Sequence, residues 1–255
     1  MAQFPRFPVA PQPSCLNCAT RQRCLPKDVS ADDCADIDRL VVRRLALTRG
    51  DHLYQMNDPV RDRLYAIQSG QFKTYHLSAE GEQRITGFQF GGDFLGLDAI
   101  GLRQHRNNTV ALRDAVLCEF SHPQLVDAAR HSDTLARFLR QLLGQQLGQE
   151  QAITQLLCHG AAEQKIAGLL LQLSAGQALG HGNGEVLELA MSRSDIGDYL
   201  GLAGATVSRV LSLLQRLGYL TLRHRHLTIN DAAGLRACAS GSPPAPLAQS
   251  AAAQS

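Results

Sequence analysis

The chain has no apolar run long enough to span a bilayer, so a membrane is not expected among its partners. Its opening residues, MAQFPRFPVAPQP, lack the apolar stretch of a secretory signal and are broken by prolines, so a cytoplasmic location is expected. It also lacks a strong charge of either sign. With 25 basic and 23 acidic residues the formal net charge is +2, so any affinity for nucleic acid must come from a local patch. No glycine-rich cofactor loop leads into a strand–helix–strand unit, and no nucleophile is paired with a base; an enzyme is not expected. What remains is 255 residues, 44% hydrophobic and 19% charged. That is a globular composition, with length for one large or two medium domains.

Cysteine is the residue present in a telling pattern. Cys15, Cys18 and Cys24 fall within ten residues of one another in PSCLNCATRQRCLP. In a reducing compartment such clustering points to metal binding or catalysis before disulfides. Three thiolates are one short of a tetrahedral set. Four can hold zinc or an iron–sulfur cluster, and geometry alone does not separate the two.

Residues 1–14 and 239–255 are rich in Pro, Ala and Ser and are expected to be disordered tails. From Val41 to Phe120 short alternating runs such as RLYAIQSG, QFKTYHLSAEGEQRITGFQF, GGDFLGL and AVLCEF are punctuated by Gly50, Gly70, Gly81, Gly91 and Gly92. They predict an antiparallel β domain, barrel or jelly roll. From Pro123 to Leu173 the period lengthens. Leu135, Phe138, Leu139, Leu142, Leu143, Leu147, Ile153, Leu156 and Leu157 recur at helical spacing and predict one long amphipathic helix. Its stripe is wide enough to face both its own domain and a second copy, with Gly144 and Gly148 permitting close approach. The resulting division is a tail and cysteine segment over 1–28, a β domain over 29–122, a dimerisation helix over 123–160, a DNA-binding unit over 161–238 and a tail over 239–255.

The string MSRSDIGDYLGLAGATVSRVLSLLQRLGYLTLRHRHLTIN carries every part of a winged helix-turn-helix. Ser192 and Asp195 form a capping-box pair, and Ile196, Tyr199 and Leu200 give the first helix its buried side. Gly201 ends that helix, and LAG makes the turn. A second helix starts near Gly204–Ala205 and buries Val207, Val210, Leu211 and Leu214. Ala205, Ser208 and Arg209 share its other face near the N-terminus, the part that meets base edges in the major groove. Arg209 can fork onto guanine, worth about 1–3 kcal/mol of discrimination, and Thr206 is placed for a phosphate. YLTL and HLTI around RHRH read as a wing, with Arg223 and Arg225 available to backbone phosphates. Double-stranded DNA is the expected partner.

The order of β domain, long helix and winged helix resembles the CRP/FNR family of bacterial transcription regulators over about residues 15–235. LYAIQSG, ITGFQFGGDFLGLDAIG, SRSDIGDYLGL, TVSRVL and the Cys15-x2-Cys18-x5-Cys24 spacing are similar to its FNR branch. The fold class implied is α+β: an N-terminal antiparallel β-roll of the cyclic-nucleotide-binding jelly-roll type, a long dimerisation helix and a C-terminal winged helix-turn-helix. The resemblance implies that Cys15, Cys18, Cys24 and Cys118 hold an oxygen-labile 4Fe–4S cluster, one per subunit. It leaves Cys34, Cys158 and Cys238 outside the ligand pattern. Three crowded ligands and one remote one also suit a cluster better than the two close pairs usual for structural zinc.

The resemblance further implies a redox switch. The intact cluster ties the N-terminal segment to the β domain and favours a homodimer on a TTGAT-like palindrome; oxygen converts it to a smaller form, and the dimer releases DNA. Glu150 is a candidate gate on the dimer helix, and Gly81 and Glu82, in LSAEGEQ, are candidates for a contact with RNA polymerase in an activator. The family's cyclic-nucleotide cassette has a Glu after the turn glycine and a later Arg-Ser pair. Here Leu97 follows Gly96 and the later string is HRNNTVAL, so no cyclic nucleotide is expected. Ala205 stands where the family has the Glu of ETxSR, which implies altered discrimination at one base pair, since alanine accepts nothing from cytosine N4. RHRH lacks the usual wing glycine. The alternative is a regulator of the same family answering to zinc, thiol redox or a small ligand.

Overall fold

In the computed structural model the residues described are 7–10, 14–26, 29–158, 160–177 and 186–241. The C-terminal tail expected from 239 lies outside them after Gly241. The chain divides into two compact units, residues 1–152 and 153–255.

The first unit opens with a 3-10 turn at Cys15–Asn17, a one-turn helix α1 (Arg21–Cys24) and α2 (Ala31–Arg39). Eight strands follow: β1 (Val41–Leu47), β2 (His52–Tyr54), β3 (Arg63–Ser69), β4 (Gln71–Leu77), β5 (Gln83–Phe90), β6 (Phe94–Leu95), β7 (Asn108–Ala111) and β8 (Ala115–Ser121). They form two antiparallel sheets, β1-β8-β3-β6 and β2-β7-β4-β5. The strand period sends alternate residues to opposite faces. Leu45, Leu47, Ile67 and Leu117 thus join Phe72 in the core between the sheets. Leu64, Ala66, Cys118 and Phe120 face outward and pack with Cys34 and Ile37 of α2. Ile67, Phe72 and Leu117 are wholly buried, each worth about 1.5–3 kcal/mol. The expected β-roll is present, and its limits match the Val41–Phe120 reading to within a residue.

Two expectations are corrected. The residues before Pro13 do not all form a loose tail. Ala46 N–H donates to the Pro8 carbonyl, Ala10 N–H donates to the Arg44 carbonyl, and Val9 bridges Leu45, so this strap covers the free edge of β1. Second, the long helical pattern is three helices: α3 (His122–Arg130), α4 (Asp133–Cys158) and α5 (Ala162–Gln177). Ser132 caps α4 by accepting from Leu135 N–H at 3.3 Å, and Gly160 takes a φ of +101° that glycine adopts without strain. Leu135, Phe138 and Leu142 of α4 pack onto the roll's outer apolar cluster. No helix among the described residues is long and apolar enough to cross a membrane.

The second unit carries β9 (Val186–Glu188), α6 (Arg193–Leu200), α7 (Gly204–Arg216), β10 (Leu220–Arg223), β11 (His226–Ile229) and α8 (Ala232–Ala239). Its sheet runs β10-β11-β9, so the wing hairpin gains a third strand.

Candidate functional site

The reading head follows from local rules. Ser192 accepts from Asp195 N–H at 3.0 Å while Asp195 Oδ2 takes Ser192 N–H at 2.9 Å, a complete capping box. Gly201 closes α6 at φ +66°. Ile196, Tyr199 and Leu200 are buried, as are Val207, Val210, Leu211 and Leu214 of α7. Gly197 is a requirement that sequence reasoning missed: a Cβ there would collide with the carbonyl oxygen of Leu202, the residue whose N–H donates to the Gly197 carbonyl across the turn. On the other side of α7, Ala205, Ser208 and Arg209 are exposed and Thr206 is half-buried. Arg209 Nη2 donates to Thr206 Oγ1 at 3.1 Å, and Ser208 Oγ donates to the Gly204 carbonyl at 3.1 Å. Both polar groups therefore sit near the N-terminal end of α7. In the wing, Arg223 and Arg225 are exposed. His224 supplies the left-handed turn residue at φ +56°, the role a glycine would fill without strain.

The cysteine site is assembled from distant stretches. Cys15, Cys18, Cys24 and Cys118 line one small cavity whose wall includes Ala66 and Ile67. Cys118 lies in the central strand β8, in register with Arg44 of β1 on one side and Ala66 of β3 on the other. Burial pushes the Cys15 thiol up to about 12, aided by a hydrogen bond and the charge of Asp38. Burial also raises Cys24 well above its usual value, and the other three cysteines add to the effect. Cys118 is raised by burial, while Arg44 pulls it down. Burial thus favours the protonated thiol at Cys15, Cys24 and Cys118, and a positive centre placed there would favour the thiolate instead.

Several residues that build this cavity had no signal in the sequence. Arg44, almost wholly buried, donates through Nη2 to Asp38 Oδ1 at 2.6 Å, and Cys15 N–H donates to the same oxygen at 3.3 Å. One carboxylate thus ties the 3-10 turn to β1. Arg23 and Asp93 form an ion pair at 2.8 Å with both side chains largely buried. Burial raises the Asp93 carboxyl, and Arg23 opposes that rise. Gly91 and Gly92 let the cysteine segment lie on the β5–β6 turn. A Cβ on Gly91 would come within 2.7 Å of the Thr20 methyl, and one on Gly92 would collide with Arg23 Cβ. Of the other cysteines, Cys34 is buried in α2 and Cys238 in α8; the Cys158 side chain lies outside the described residues. Among the described residues no three His, Cys, Asp or Glu side chains close on a point that would grip a single ion. The cavity offers four sulfur donors beside an apolar wall that includes Ala66 and Ile67, with Arg21 also lining it.

The remaining predicted residues belong to the first unit and do not line the cysteine cavity. Gly81 and Glu82 are exposed in the β4–β5 turn, where Ser78 Oγ accepts from Glu82 N–H at 3.2 Å. Glu150 is exposed on α4 and accepts from Gln146 Nε2 at 2.9 Å. Leu97 does not stand free beside Gly96. It opens a 3-10 turn, Leu97–Ala99, and packs against the roll's outer apolar cluster.

Comparison with known proteins covers both units. Residues 44–132 match the cyclic nucleotide-binding domain family, and residues 164–238 match the Crp-like helix-turn-helix domain family. The chain is 33% identical to the anaerobic regulatory protein of Pasteurella multocida over 221 residues, which is 87% of this chain and 81% of that protein. It is 32% identical to the fumarate and nitrate reduction regulatory protein of Escherichia coli over 220 residues, 86% of this chain and 88% of the other. Among solved structures, FixK2 from Bradyrhizobium japonicum superposes with a TM-score of 0.68 at 27% identity, covering 79% of this chain and 98% of that one.

Proposed function

The chain belongs to the CRP/FNR family of bacterial transcription regulators, in its FNR branch, and we propose that it is an oxygen-responsive member holding a 4Fe–4S cluster on Cys15, Cys18, Cys24 and Cys118. The family is one of regulators, not enzymes. The observation that carries the reading is that three cysteines from the N-terminal segment and one from β8 line a single cavity.

When bound, the cluster supplies a link between segment and sheet that oxygen destroys. The chain's own residues do the rest. Cys15, Cys18 and Cys24 hold the segment, Cys118 holds the central strand, and Arg44 offsets thiolate charge at that strand. On α4, Leu143 and Leu147 are 48% and 64% exposed, and nothing lies within 4 Å of a Cβ added at Gly144 or Gly148. This apolar stripe meets the same stripe of a second copy, with Glu150 one turn on as a like-charge gate against its counterpart. The dimer then sets two α7 helices on successive half-sites of a TTGAT-like palindrome. Arg209 forks onto guanine, Ser208 contacts a base edge, Thr206, Arg223 and Arg225 hold phosphates, and Ala205 meets a thymine methyl. Gly81 and Glu82 present the turn that touches RNA polymerase when the protein activates. The signal acts by stabilising the pairing-competent state over the other. A cyclic nucleotide has no part in it, and the protein works in the cytoplasm.

Purification without oxygen, with a visible spectrum and assays of iron and sulfide, tests this directly. A coloured protein carrying both, which loses specific DNA binding when air is admitted, is the expected result. A colourless, zinc-loaded protein that binds DNA equally with and without air overturns it and moves the signal to zinc, thiols or a small ligand. Selection from a random DNA library should return a palindrome relaxed at the pair that a glutamate at 205 would read. An unrelaxed TTGAT…ATCAA counts against the role given to Ala205.

A further inference from the structure

Asp38 stands between the two ends of the cysteine site. Its Oδ1 accepts from Cys15 N–H at 3.3 Å and from Arg44 Nη2 at 2.6 Å. Arg44 of β1 pairs in register with Cys118 of β8, so the two side chains stand side by side on the roll's outer face. One carboxylate and one guanidinium thus join the segment that carries the first thiol to the strand that carries the last. The Arg44 side chain is only 4% exposed, and its Nε–H is buried with no hydrogen-bond partner among the described residues. A buried donor without an acceptor is costly, and its presence points to an acceptor that arrives with a bound group. The neighbouring guanidiniums are engaged elsewhere: Arg21 donates to the Val29 carbonyl at 3.0 Å, and Arg23 pairs with Asp93 at 2.8 Å.

We propose that Arg44, oriented by Asp38, is a positioning residue for the fourth ligand: it offers Nε–H to the Cys118 sulfur once the cysteines hold their cluster, and so sets the cluster's redox poise. This rests on the 4Fe–4S reading of the site. Arg44 Nη2 is committed to Asp38, which leaves Nε as a buried donor for an incoming acceptor. A hydrogen bond to a ligating sulfur, and a positive charge beside it, favour the form carrying one more electron and raise the reduction potential. The cavity wall beside the sulfurs includes Ala66, Ile67 and Phe120, where a charge is weakly screened. Burial raises the Cys118 thiol and the Arg44 charge opposes that rise, in keeping with a guanidinium that acts on this sulfur.

The test compares anaerobic full-length protein with Arg44→Met and Arg44→Lys, iron and sulfide being assayed in each. Voltammetry reads the potential, and resonance Raman in H2O and D2O reads the hydrogen bond. Asp38 keeps 29% exposure, so Arg44→Met leaves no fully buried charge unpaired and should still load iron. Its midpoint potential should fall by at least a tenfold change in the reduction equilibrium, about 59 mV for one electron. The deuterium shift of an iron–thiolate stretching band should shrink with it. Arg44→Lys keeps the charge but not the planar fork, and should recover part of the potential. If Arg44→Met takes up no iron, the Lys variant decides, and its potential should lie below that of the wild type. A purely structural arginine would change Tm and iron content alone. Equal potentials and equal deuterium shifts in wild type and iron-loaded variants overturn the role of Arg44 while the cluster reading stands. Protein without iron and sulfide overturns both.

Discussion

The reading head and the cysteine cavity are built in opposite ways. Every part of the head, from Ser192 to Ile229, lies within forty residues, and each part obeys a local rule: a capping box, a left-handed glycine, a helical apolar period, a two-residue hairpin turn. The cavity draws on residues 15–25, 37–44, 66–68, 91–93 and 118, which only the folded roll brings together. A unit made of local contacts tolerates damage elsewhere. A site made of long-range contacts depends on each tie that crosses the roll. Perturbing the two regions in matched pairs should separate them.

The largest effect belongs to the cavity. Cys118→Ser removes the one ligand on β8, and on the proposed reading anaerobic DNA affinity falls to the nonspecific level, about a thousandfold or more. The second unit should keep its thermal transition. Electrophoretic mobility shifts under nitrogen, with iron assayed in the same samples, check both. Retention of iron and of specific binding would mean that Cys118 is not a ligand.

The glycines supply the next pair. Gly92→Ala places a methyl against Arg23 Cβ at a φ of +95°, and Gly197→Ala places one against the Leu202 carbonyl. Each should cost about 1–3 kcal/mol. The first should loosen the cysteine segment and speed iron loss while leaving α6 and α7 protected from hydrogen exchange. The second should do the reverse. Equal loss of protection in both units from either variant would abolish the contrast between them.

These pairs also show what was legible in the sequence. The head was readable almost residue by residue, because capping, turn and period signals are local; Gly197 escaped because its need arises from a carbonyl five positions on. The β-roll was readable from alternation and turn glycines. The helical stretch was misread as continuous because its apolar period persists through two breaks, set by Ser132 and Gly160. At the cavity, four thiols were found by spacing and family likeness. Their supports, Arg44 to Asp38 and Arg23 to Asp93, bridge separations of 6 and 70 residues and leave no periodic trace.

At the reading head, Ala205→Glu restores a carboxylate on the exposed face of α7. It should sharpen discrimination at one base pair by about 1–3 kcal/mol and leave the salt dependence of binding nearly unchanged, since no phosphate contact is altered. Library selection with the two proteins side by side reads this. Identical selected sites would place Ala205 away from the bases.

The smallest expected effect is the cleanest comparison, because both units contain the same device. Ser30 and Asp33 cap α2 with the same reciprocal pair of hydrogen bonds that Ser192 and Asp195 give α6. Ser→Ala at either cap removes one bond to an N-terminal N–H and should cost about 1 kcal/mol. Ser192→Ala should lower the transition of the second unit and weaken DNA binding only as far as α6 frays. Ser30→Ala should leave DNA contacts intact and act through α2, whose Cys34 and Ile37 pack beside the cysteine cavity. Acid adds a check on the sign. The bond from Ser30 Oγ holds the Asp33 carboxyl below its usual range, so the part of the cap made through that carboxylate is present at neutral pH and withdrawn as pH falls through the Asp33 titration, while the bond from Asp33 N–H to Ser30 Oγ persists. The gap in stability between wild type and Ser30→Ala should therefore narrow, without closing, as the solution is acidified. A gap that stays constant through that titration would show that the Asp33 carboxylate adds nothing to the cap.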